Sequence, residues 1–542
     1  MKQHHLLELV VAMGIIASAS IAVILNQQAI QVNTTGNVLN VATSGRVETL
    51  NSTTYSSLTA SSTIGATIVG LYDRDANGNI ISAVSDGQPD ISLDSKCYVF
   101  HLRPYHWSNG ARVTVQDFVY AWQRLADPKT GARNAARIDF LKNGTAVRSG
   151  RKPVSALGVH AISKTRLEVD LQQANPFLDE ILADTPLLPI NQAFAQKWGH
   201  DYGSNATRVL ANGPYQITDW SGANDTTWRY VKNPAYAHAK RVQVKTIDFT
   251  SEADTSIGAK AFAAGKFDYA ALSPQQVPSF QGTSQLHTQR TTTEAFVFFN
   301  TTTGPTTNQA LRQAIAQAFD KRAFTQSRLR DGSQPLNGLI PAGLTNMSEG
   351  QDYRATTGQL LPYNLSKATA AWARAKKQMG VNRLNLTLTI ADNPTAKIAA
   401  AYFAGQVEHN LPGLHITVKK VSLTKRVALE TAGKFELVFS TWSPADSDPM
   451  NLLSFYQTGS RLNITGYSNA KFDAMCKQVE DAGAYPAKRL ALVQKAERYL
   501  ICQQVPSVGF FQQGTAYLLD PSIKRFPVMP SGAINYEYVK TK

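Results

Sequence analysis

The apolar and polar positions of the chain change period repeatedly along its length. Short stretches rich in β-branched, aromatic and aliphatic residues, at 38–43, 98–102 and 166–171, predict strands. Between 309 and 319 the apolar residues recur three and four positions apart, which predicts a buried helix. Strands and helices therefore alternate, and the predicted fold class is α/β.

A turn and a capped helix are predicted between Trp107 and Pro128. Asn109-Gly110 supplies the turn, and Thr114 followed by Asp117 has the spacing of a capping box. The helix has one apolar face, formed by Val115, Phe118, Val119 and Trp122. Such a face is more typical of a protein core than of a functional site.

Two distant segments share one order of elements. A helical pattern at 257–265 ends in a glycine and is followed by a predicted strand at 267–272. A second helical pattern, at 426–433, also ends in a glycine and is followed by a predicted strand at 435–442. Helix, glycine and strand in this order form the αβ unit of an open sheet. Its presence in both halves predicts two α/β lobes of related construction.

The N-terminus predicts export. Seventeen residues without a charge run from Leu9 to Leu25, which suits a signal sequence and is short for a membrane span. Ala17-Ser18-Ala19 satisfies the cleavage rule, but cleavage there would leave an apolar stub. Residues 1–36 are therefore predicted to be either a cleaved signal peptide or an uncleaved signal anchor.

Composition and charge exclude several classes of protein. The chain has 542 residues, 43% of them hydrophobic and 17% charged, so we expect a folded protein of two or more domains. Its net charge of +15 is scattered rather than clustered, and no aromatic residues alternate with the basic ones. We therefore expect no nucleic-acid partner, and the positive charge suits an anionic cell envelope.

Catalytic and metal-binding motifs are missing from the sequence. It contains no His-Glu-x-x-His, Gly-x-Ser-x-Gly or Cys-x-x-Cys, and its ten histidines are scattered. We therefore expect no enzyme activity, no metal and no cofactor. Cys476 and Cys502 fall on adjacent predicted helices, where they form either a disulfide or two buried thiols.

The segment from Trp107 to Pro128 closely resembles the signature of the solute-binding proteins of oligopeptide ABC importers. Other matches to this family follow in the expected order: Leu39-Asn40-Val41-Ala42, Asn212-Gly213-Pro214-Tyr215, the helix from Leu311 ending in Asp320-Lys321-Arg322, Trp442, Asp448-Pro449 and Thr465-Gly466-Tyr467-Ser468-Asn469. Relatives in Gram-positive cells carry a lipid-modified cysteine after the signal. This chain has no cysteine before Cys97, so lipid anchoring by that route is excluded.

The resemblance implies a bilobal, periplasmic-binding-protein-like fold of type II, cluster C, with an extra subdomain in lobe I. By analogy, lobe I comprises residues 37–70, 205–292 and 510–542, the extra subdomain 71–204, and lobe II 293–509. An oligopeptide would lie extended between the lobes and pair with strand edges, so that main-chain groups bind it without reading its sequence. The implied partners are the oligopeptide and the transmembrane subunits of an ABC importer. We expect a monomer at the extracellular face of the membrane or in the cell wall, associated with the membrane through its N-terminal segment.

The resemblance also implies ligand-binding residues. Thr441, Trp442 and Ser443 would form the pairing strand of lobe II, and Ser57 with Leu58 that of lobe I. Many relatives have an Asp three positions after this Trp that binds the peptide's terminal amine. Here that position is Ala445, and Asp446 follows it. Asp446 would either take over the amine or, because neighbouring residues of an extended chain face opposite sides, point away from it.

Further departures from the family, at Asn134, Leu423 and Glu430, predict a peptide binder with altered selectivity. Two other functions share the scaffold: a receptor for a peptide pheromone or signal, and a degenerate paralogue that acts as a surface chaperone or wall-associated protein. The scattered histidines argue against nickel as the solute, whereas heme and sugars remain alternatives.

Overall fold

The computed structural model describes residues 38–347, 350–444, 446–483 and 485–542, with only the backbone of Pro486. The predicted export signal and Ala445 lie outside these residues. The described strands are β1 Val38–Thr43, β2 Tyr72–Arg74, β3 Ile80–Ser82, β4 Asp90–Ile91, β5 Cys97–His101, β6 Val159–Ala161, β7 Arg166–Asp170, β8 Tyr215–Thr218, β9 Thr227–Lys232, β10 Thr246–Ser251, β11 Tyr269–Leu272, β12 Leu286–Phe299, β13 Gln334–Pro335, β14 Leu384–Ala391, β15 Leu414–Val421, β16 Leu437–Trp442, β17 Ser507–Leu519, β18 Ile523–Arg525 and β19 Lys540–Thr541.

Helices cover the sheet in both halves of the described chain. They are α1 Leu58–Thr67, α2 Val115–Ala126, α3 Gly144–Arg148, α4 Leu178–Leu182, α5 Gln192–Trp198, α6 Thr255–Ala263, α7 Gln309–Gln317, α8 Lys321–Phe324, α9 Tyr353–Thr357, α10 Leu365–Met379, α11 Pro394–Asn410, α12 Leu423–Thr431, α13 Met450–Leu453, α14 Ala470–Asp481 and α15 Pro486–Arg498. None of these helices combines the length and the apolar content needed to cross a bilayer.

The main sheet runs through both halves of the chain. Its strand order is β15-β14-β16-β12-β17-β11-β1-β10-β9-β8, with β13 paired to β17 beside this path. The two long strands, β12 and β17, are antiparallel neighbours in the middle of the sheet. One end of β17 pairs with β11, and the C-terminal part of β12 pairs with β16. These two strands therefore join the two halves.

The two halves have separate hydrophobic cores. One large cluster of buried side chains draws all its members from residues 295–511. A second large cluster draws its members from residues 39–249 and 517–539, and a small third one lies around α6 and β11. The second cluster includes the predicted extra subdomain, 71–204, which thus shares its core with lobe I. The proposed boundaries of lobe II at 293 and 509 fall within β12 and β17, and they stay predictions.

Several elements expected from the sequence are confirmed. Helix α2 begins after Thr114, whose N–H donates to the Asp117 carboxylate at 2.9 Å. That carboxylate also accepts from the indole N–H of Trp107 at 3.2 Å, which fixes the preceding turn to the helix. The repeated order of helix, glycine and strand is present in both lobes, as α6 with β11 and as α12 with β16.

The cysteines do not form a bridge. Cys97, Cys476 and Cys502 are all free thiols. Cys476 is fully buried in the core of lobe II, and the Cys502 thiol donates to the carbonyl of Leu360 at 3.3 Å. Of the two alternatives left by the sequence, the pair of thiols is therefore the one observed.

Candidate ligand cleft

A cavity of about 820 Å³ lies between the two lobes. Helix α1 and the C-terminal segment 529–537 line it from lobe I, and the β2–β3 hairpin with residues 176–185 lines it from the extra subdomain. Residues 343–346 and the segment after β16 line it from lobe II. All three parts of the molecule therefore meet around one space, which is large enough for a peptide of several residues.

The strand predicted at this place in lobe II is confirmed up to Trp442, where β16 ends, and its pairing with a peptide stays a prediction. All six residues of β16 pair with β12, but only Leu437 and Val438 pair with β14 on the other side. The Phe439 carbonyl accepts from Arg426 at 3.1 Å. The second edge from Ser440 to Trp442 therefore has no described strand beside it, and the segment that follows it lines the cavity at Pro444, Asp446 and Ser447.

Trp442 itself is 39% exposed and packs edge-to-face on Phe455, with ring centroids 4.5 Å apart. Thr441 lines a second, smaller cavity of about 220 Å³, together with Leu423 and Arg426 of α12. Ser443 lies just beyond the strand, and its hydroxyl is 2.7 Å from that of Thr293 on β12. The exposed indole gives the strand edge an apolar wall.

The predicted pairing strand of lobe I is wrong. Ser57 is the N-cap of α1, and its hydroxyl accepts from the Ala60 N–H at 3.1 Å. The Glu48 carboxylate accepts from the backbone N–H groups of Ser56 and Ser57, both at 2.7 Å. These local bonds satisfy the groups that a strand would offer, so Leu58 begins a helix and presents its side chain, 55% exposed, to the cavity.

Asp446 lines the cavity, but both oxygens of its carboxylate already accept hydrogen bonds from the protein. Its Oδ1 accepts from Asp448 N at 3.0 Å and from the Asn451 side chain, and its Oδ2 accepts from Arg137 Nη1 at 3.1 Å. The same guanidinium also pairs with Asp184. Because Asp446 is only 8% exposed and its charge is shared with Arg137, it is not arranged to receive a second cation.

No pattern in the sequence indicated that Arg137 belongs to the candidate site. It lies on a short 3-10 helix, Ala135–Ile138, in the extra subdomain, whereas Asp446 lies in lobe II. A second contact joins the same two parts, since the Glu180 carboxylate accepts from the Ser447 N–H at 3.1 Å. Both contacts hold the subdomain against the segment that follows β16.

The cavity is lined by many carboxylates. The acidic residues are Asp73, Asp179, Glu180, Asp184, Asp446 and Glu537, and among the described lining residues Arg74 alone is basic. Two of these carboxylates titrate near neutral pH. Burial raises the pKa of Asp73 to about 6, and burial together with the charge of Asp73 raises the pKa of Glu537 to about 7.

A possible metal-binding group lies elsewhere. Ligand atoms of His160, Glu168 and Asp170 are within 4.8 Å of one another on strands β6 and β7, in the described part of the chain. Lys142 Nζ is 3.5 Å from Asp170 and competes for that carboxylate. None of these residues lines the cleft, and the expected absence of a metal stays a prediction.

Two α/β lobes that are joined by long central strands and enclose a polar cavity define an interlobe ligand-binding protein. The sequence profile of the bacterial extracellular solute-binding proteins, family 5 Middle, matches residues 79–463. This is more than half of the chain, and the chain belongs to that family. The resemblance noted from the sequence and the predicted bilobal α/β fold are thereby confirmed.

Relatives of known function and structure are similar over most of their length. The dipeptide-binding protein of Lactococcus lactis subsp. cremoris is 29% identical over 420 residues, which cover 74% of this chain and 76% of that protein. The substrate-binding domain of an oligopeptide ABC transporter from Bacillus anthracis is 30% identical, with a TM-score of 0.78 over 94% of this chain and 99% of that one. The pheromone receptor PrgZ is 27% identical, with a TM-score of 0.78 over 93% of this chain and 99% of that one.

Proposed function

We propose that the protein captures oligopeptides in its interlobe cleft and delivers them to the membrane subunits of an ABC importer. Membership of a solute-binding family supports this, as do the dipeptide-binding relative and the oligopeptide transporter domain. The observation that carries the proposal is the unpaired edge of β16 from Ser440 to Trp442, which is followed two residues later by Pro444 in the cavity wall. A peptide main chain can add to such an edge as a further strand.

The proposal assigns distinct roles to the predicted site residues. Ser440, Thr441 and Trp442 bind the peptide main chain, and the Trp442 indole covers it from one side. Leu58 contacts a peptide side chain from the N-terminus of α1. Asp446 acts with Arg137 as part of the wall rather than as the anchor of the terminal amine.

The remaining features follow the family. Its members are binding proteins, so the protein acts by binding and release and not by catalysis. It works as a monomer on the extracellular side, where residues 1–36 direct export and hold it at the membrane without lipid modification. The lobe boundaries proposed from the sequence define the two bodies that close on the peptide.

A receptor for one peptide signal is the alternative that a specific observation favours. The pheromone receptor PrgZ shares the fold at a similar identity to the transporter domain. A signal receptor would demand one sequence, whereas main-chain pairing at the β16 edge tolerates many. The number of different peptides bound therefore separates the two functions.

Native mass spectrometry of the purified protein makes this distinction. The protein is measured as isolated, and again after unfolding, refolding and incubation with a pool of random pentapeptides. Importer function predicts a series of bound masses in the refolded sample. One discrete bound species would indicate the signal receptor, and no bound species in either sample would indicate the degenerate paralogue.

A further inference from the structure

We propose that the cleft selects peptides with positively charged side chains and discriminates against acidic ones. This inference rests on the proposed peptide-binding function and names the class of peptide. The site itself is defined by the interlobe cavity and the unpaired β16 edge. The distribution of charge around that cavity decides what the site holds.

The charge of the cavity is opposite to that of the whole chain. The sequence carries a net charge of +15, yet six carboxylates and one guanidinium line the described part of the cavity wall. The acidic wall is therefore not a reflection of composition. A cavity with low-dielectric walls concentrates the field of its charges and attracts ligands of the opposite sign.

Three arginines compensate part of this charge. Arg137 pairs with Asp184 and Asp446, which leaves one negative charge from two carboxylates. Arg74 Nη2 lies 4.0 Å from Glu180, and Arg241 pairs with Glu537 at 3.2 Å. Six carboxylates against three guanidiniums leave an excess of three negative charges around the cavity.

Among the described residues, Asp73 and Asp179 are the two cavity carboxylates that form no direct ion pair. Asp179 is exposed, and its Oδ1 accepts from the N–H of the adjacent Glu180 at 2.9 Å. Asp73 is half-buried and accepts from the N–H of Arg74 at 2.7 Å. Both belong to the extra subdomain and line the cavity in which the proposed peptide would lie.

A lysine or arginine side chain would be stabilised in this position for two reasons. Its charge would be compensated by carboxylates in a partly desolvated space, where ion pairs are stronger than in water. Its long apolar stem would also span the distance from a peptide main chain to the opposite wall and bring the charged group to these carboxylates. A glutamate side chain would add a like charge and would be repelled.

Isothermal titration calorimetry at pH 7.5 tests the inference with three pentapeptides of alanine. They carry lysine, glutamine or glutamate at positions two and four and have the same length and ends. We expect the lysine peptide to bind about 10-fold more tightly than the glutamine peptide, which is about 1.4 kcal/mol, and the glutamate peptide to bind most weakly. In 0.5 M salt the differences should shrink because the cleft is open to ions.

Two variants test whether Asp73 and Asp179 cause the preference for lysine-containing peptides. Asp73→Asn combined with Asp179→Asn should reduce the preference for lysine over glutamine about fivefold. Asp481→Asn removes one charge from an exposed i,i+4 pair on α14, outside the cavity, and should leave the preference unchanged. Equal binding of the three peptides would overturn the inference while leaving the peptide-binding function intact. Absence of binding for all three would overturn both.

Discussion

Arg137 and Asp446 form an ion pair across the cleft, although 309 positions separate them in the sequence. Arg137 belongs to the extra subdomain and Asp446 to the segment that follows strand β16 of lobe II. The carboxylate nearest to the position expected for an amine anchor thus already has a cation.

Blocking the peptide's terminal amine should have little effect on binding. A free amine gains most where an unpaired carboxylate receives it, and Asp446 is occupied by Arg137. We expect an N-acetylated pentapeptide and its free-amine counterpart to bind within about threefold of each other by calorimetry. A preference for the free amine of about 100-fold would mean that the ligand displaces Arg137.

Removing Arg137 should create a preference for the free amine. In Arg137→Gln the Asp446 carboxylate loses its cation, and a peptide ammonium can take that place. We expect the free-amine peptide to bind about 10-fold more tightly than the acetylated one in this variant. Arg103→Gln, which breaks an exposed pair with Asp86 in the same subdomain, is the control and should show no such preference.

Binding of a cationic peptide should tighten as the pH rises from 5.5 to 8. The pKa of Asp73 is raised to about 6 and that of Glu537 to about 7, so both carboxyls are partly protonated at the lower pH. Arg74, Arg241 and Tyr236 also lie beside these two carboxyls, and they do so whether the carboxyls are protonated or ionised. A bound cation favours the ionised carboxylates, so binding releases protons and is stronger above these pKa values.

Calorimetry in buffers of different ionisation enthalpy measures this proton release. The lysine pentapeptide should release protons near pH 6.5, whereas its glutamine counterpart should release far fewer. Tighter binding of the lysine peptide at pH 5.5 than at pH 8 would show that these carboxyls do not face the ligand.

Truncating Trp442 should weaken peptide binding without unfolding the protein. The indole is partly exposed beside the unpaired strand edge and rests on Phe455, so it can cover a bound main chain. We expect Trp442→Ala to lose about 10-fold in affinity. Tyr485→Ala removes an aromatic side chain that is 74% exposed outside the cavity, and it should bind as the unchanged protein does. Equal affinities for both variants would place the ligand away from β16.

Replacing Lys321 should change the pH dependence of stability. Its ammonium is buried in lobe II, where Nζ donates to the carbonyls of Leu336 at 3.2 Å and Leu361 at 3.0 Å. Burial lowers its pKa to about 7, against about 10.4 in an unfolded chain. Between these values the unfolded chain binds the extra proton, so this group makes folding more favourable as the pH rises.

Thermal unfolding measured between pH 6.5 and 9.5 tests this. Lys321→Met lacks the titrating group, so its Tm relative to the unchanged protein should be highest near pH 6.5 and should fall toward pH 9.5. Lys477→Met, which removes an exposed lysine paired with Asp481, is the control and should show a constant difference. A constant difference for Lys321→Met as well would mean that the buried amine does not titrate in this range.

The elements that local sequence determines were predicted correctly. Helix α2 follows from Thr114 and Asp117, three residues apart, and the αβ units follow from a glycine two residues after the end of each helix. Cys476 and Cys502 show the limit of such reasoning. Adjacent helices permit a bridge, but whether two thiols meet depends on packing that the sequence pattern does not specify.

At the candidate ligand site, the local structure was predicted correctly for one strand only, and the binding of a ligand there stays a prediction. Trp442 lies at the end of β16 as expected, but the expected strand at Ser57 is a helix start because the serine hydroxyl and Glu48 bind the local N–H groups. The pairing of Arg137 with Asp446 joins two parts of the fold that are distant in sequence. No periodicity or spacing indicates such a contact.

A crystal structure of the protein with the lysine-containing pentapeptide would show directly whether the peptide binds along β16 in the acidic cavity. We expect its main chain to pair with β16 between Ser440 and Trp442 and its lysines to approach Asp73 or Asp179. Arg137 should stay paired with Asp446. A peptide whose terminal amine displaces Arg137 from Asp446, or one bound without contact to β16, would contradict these expectations.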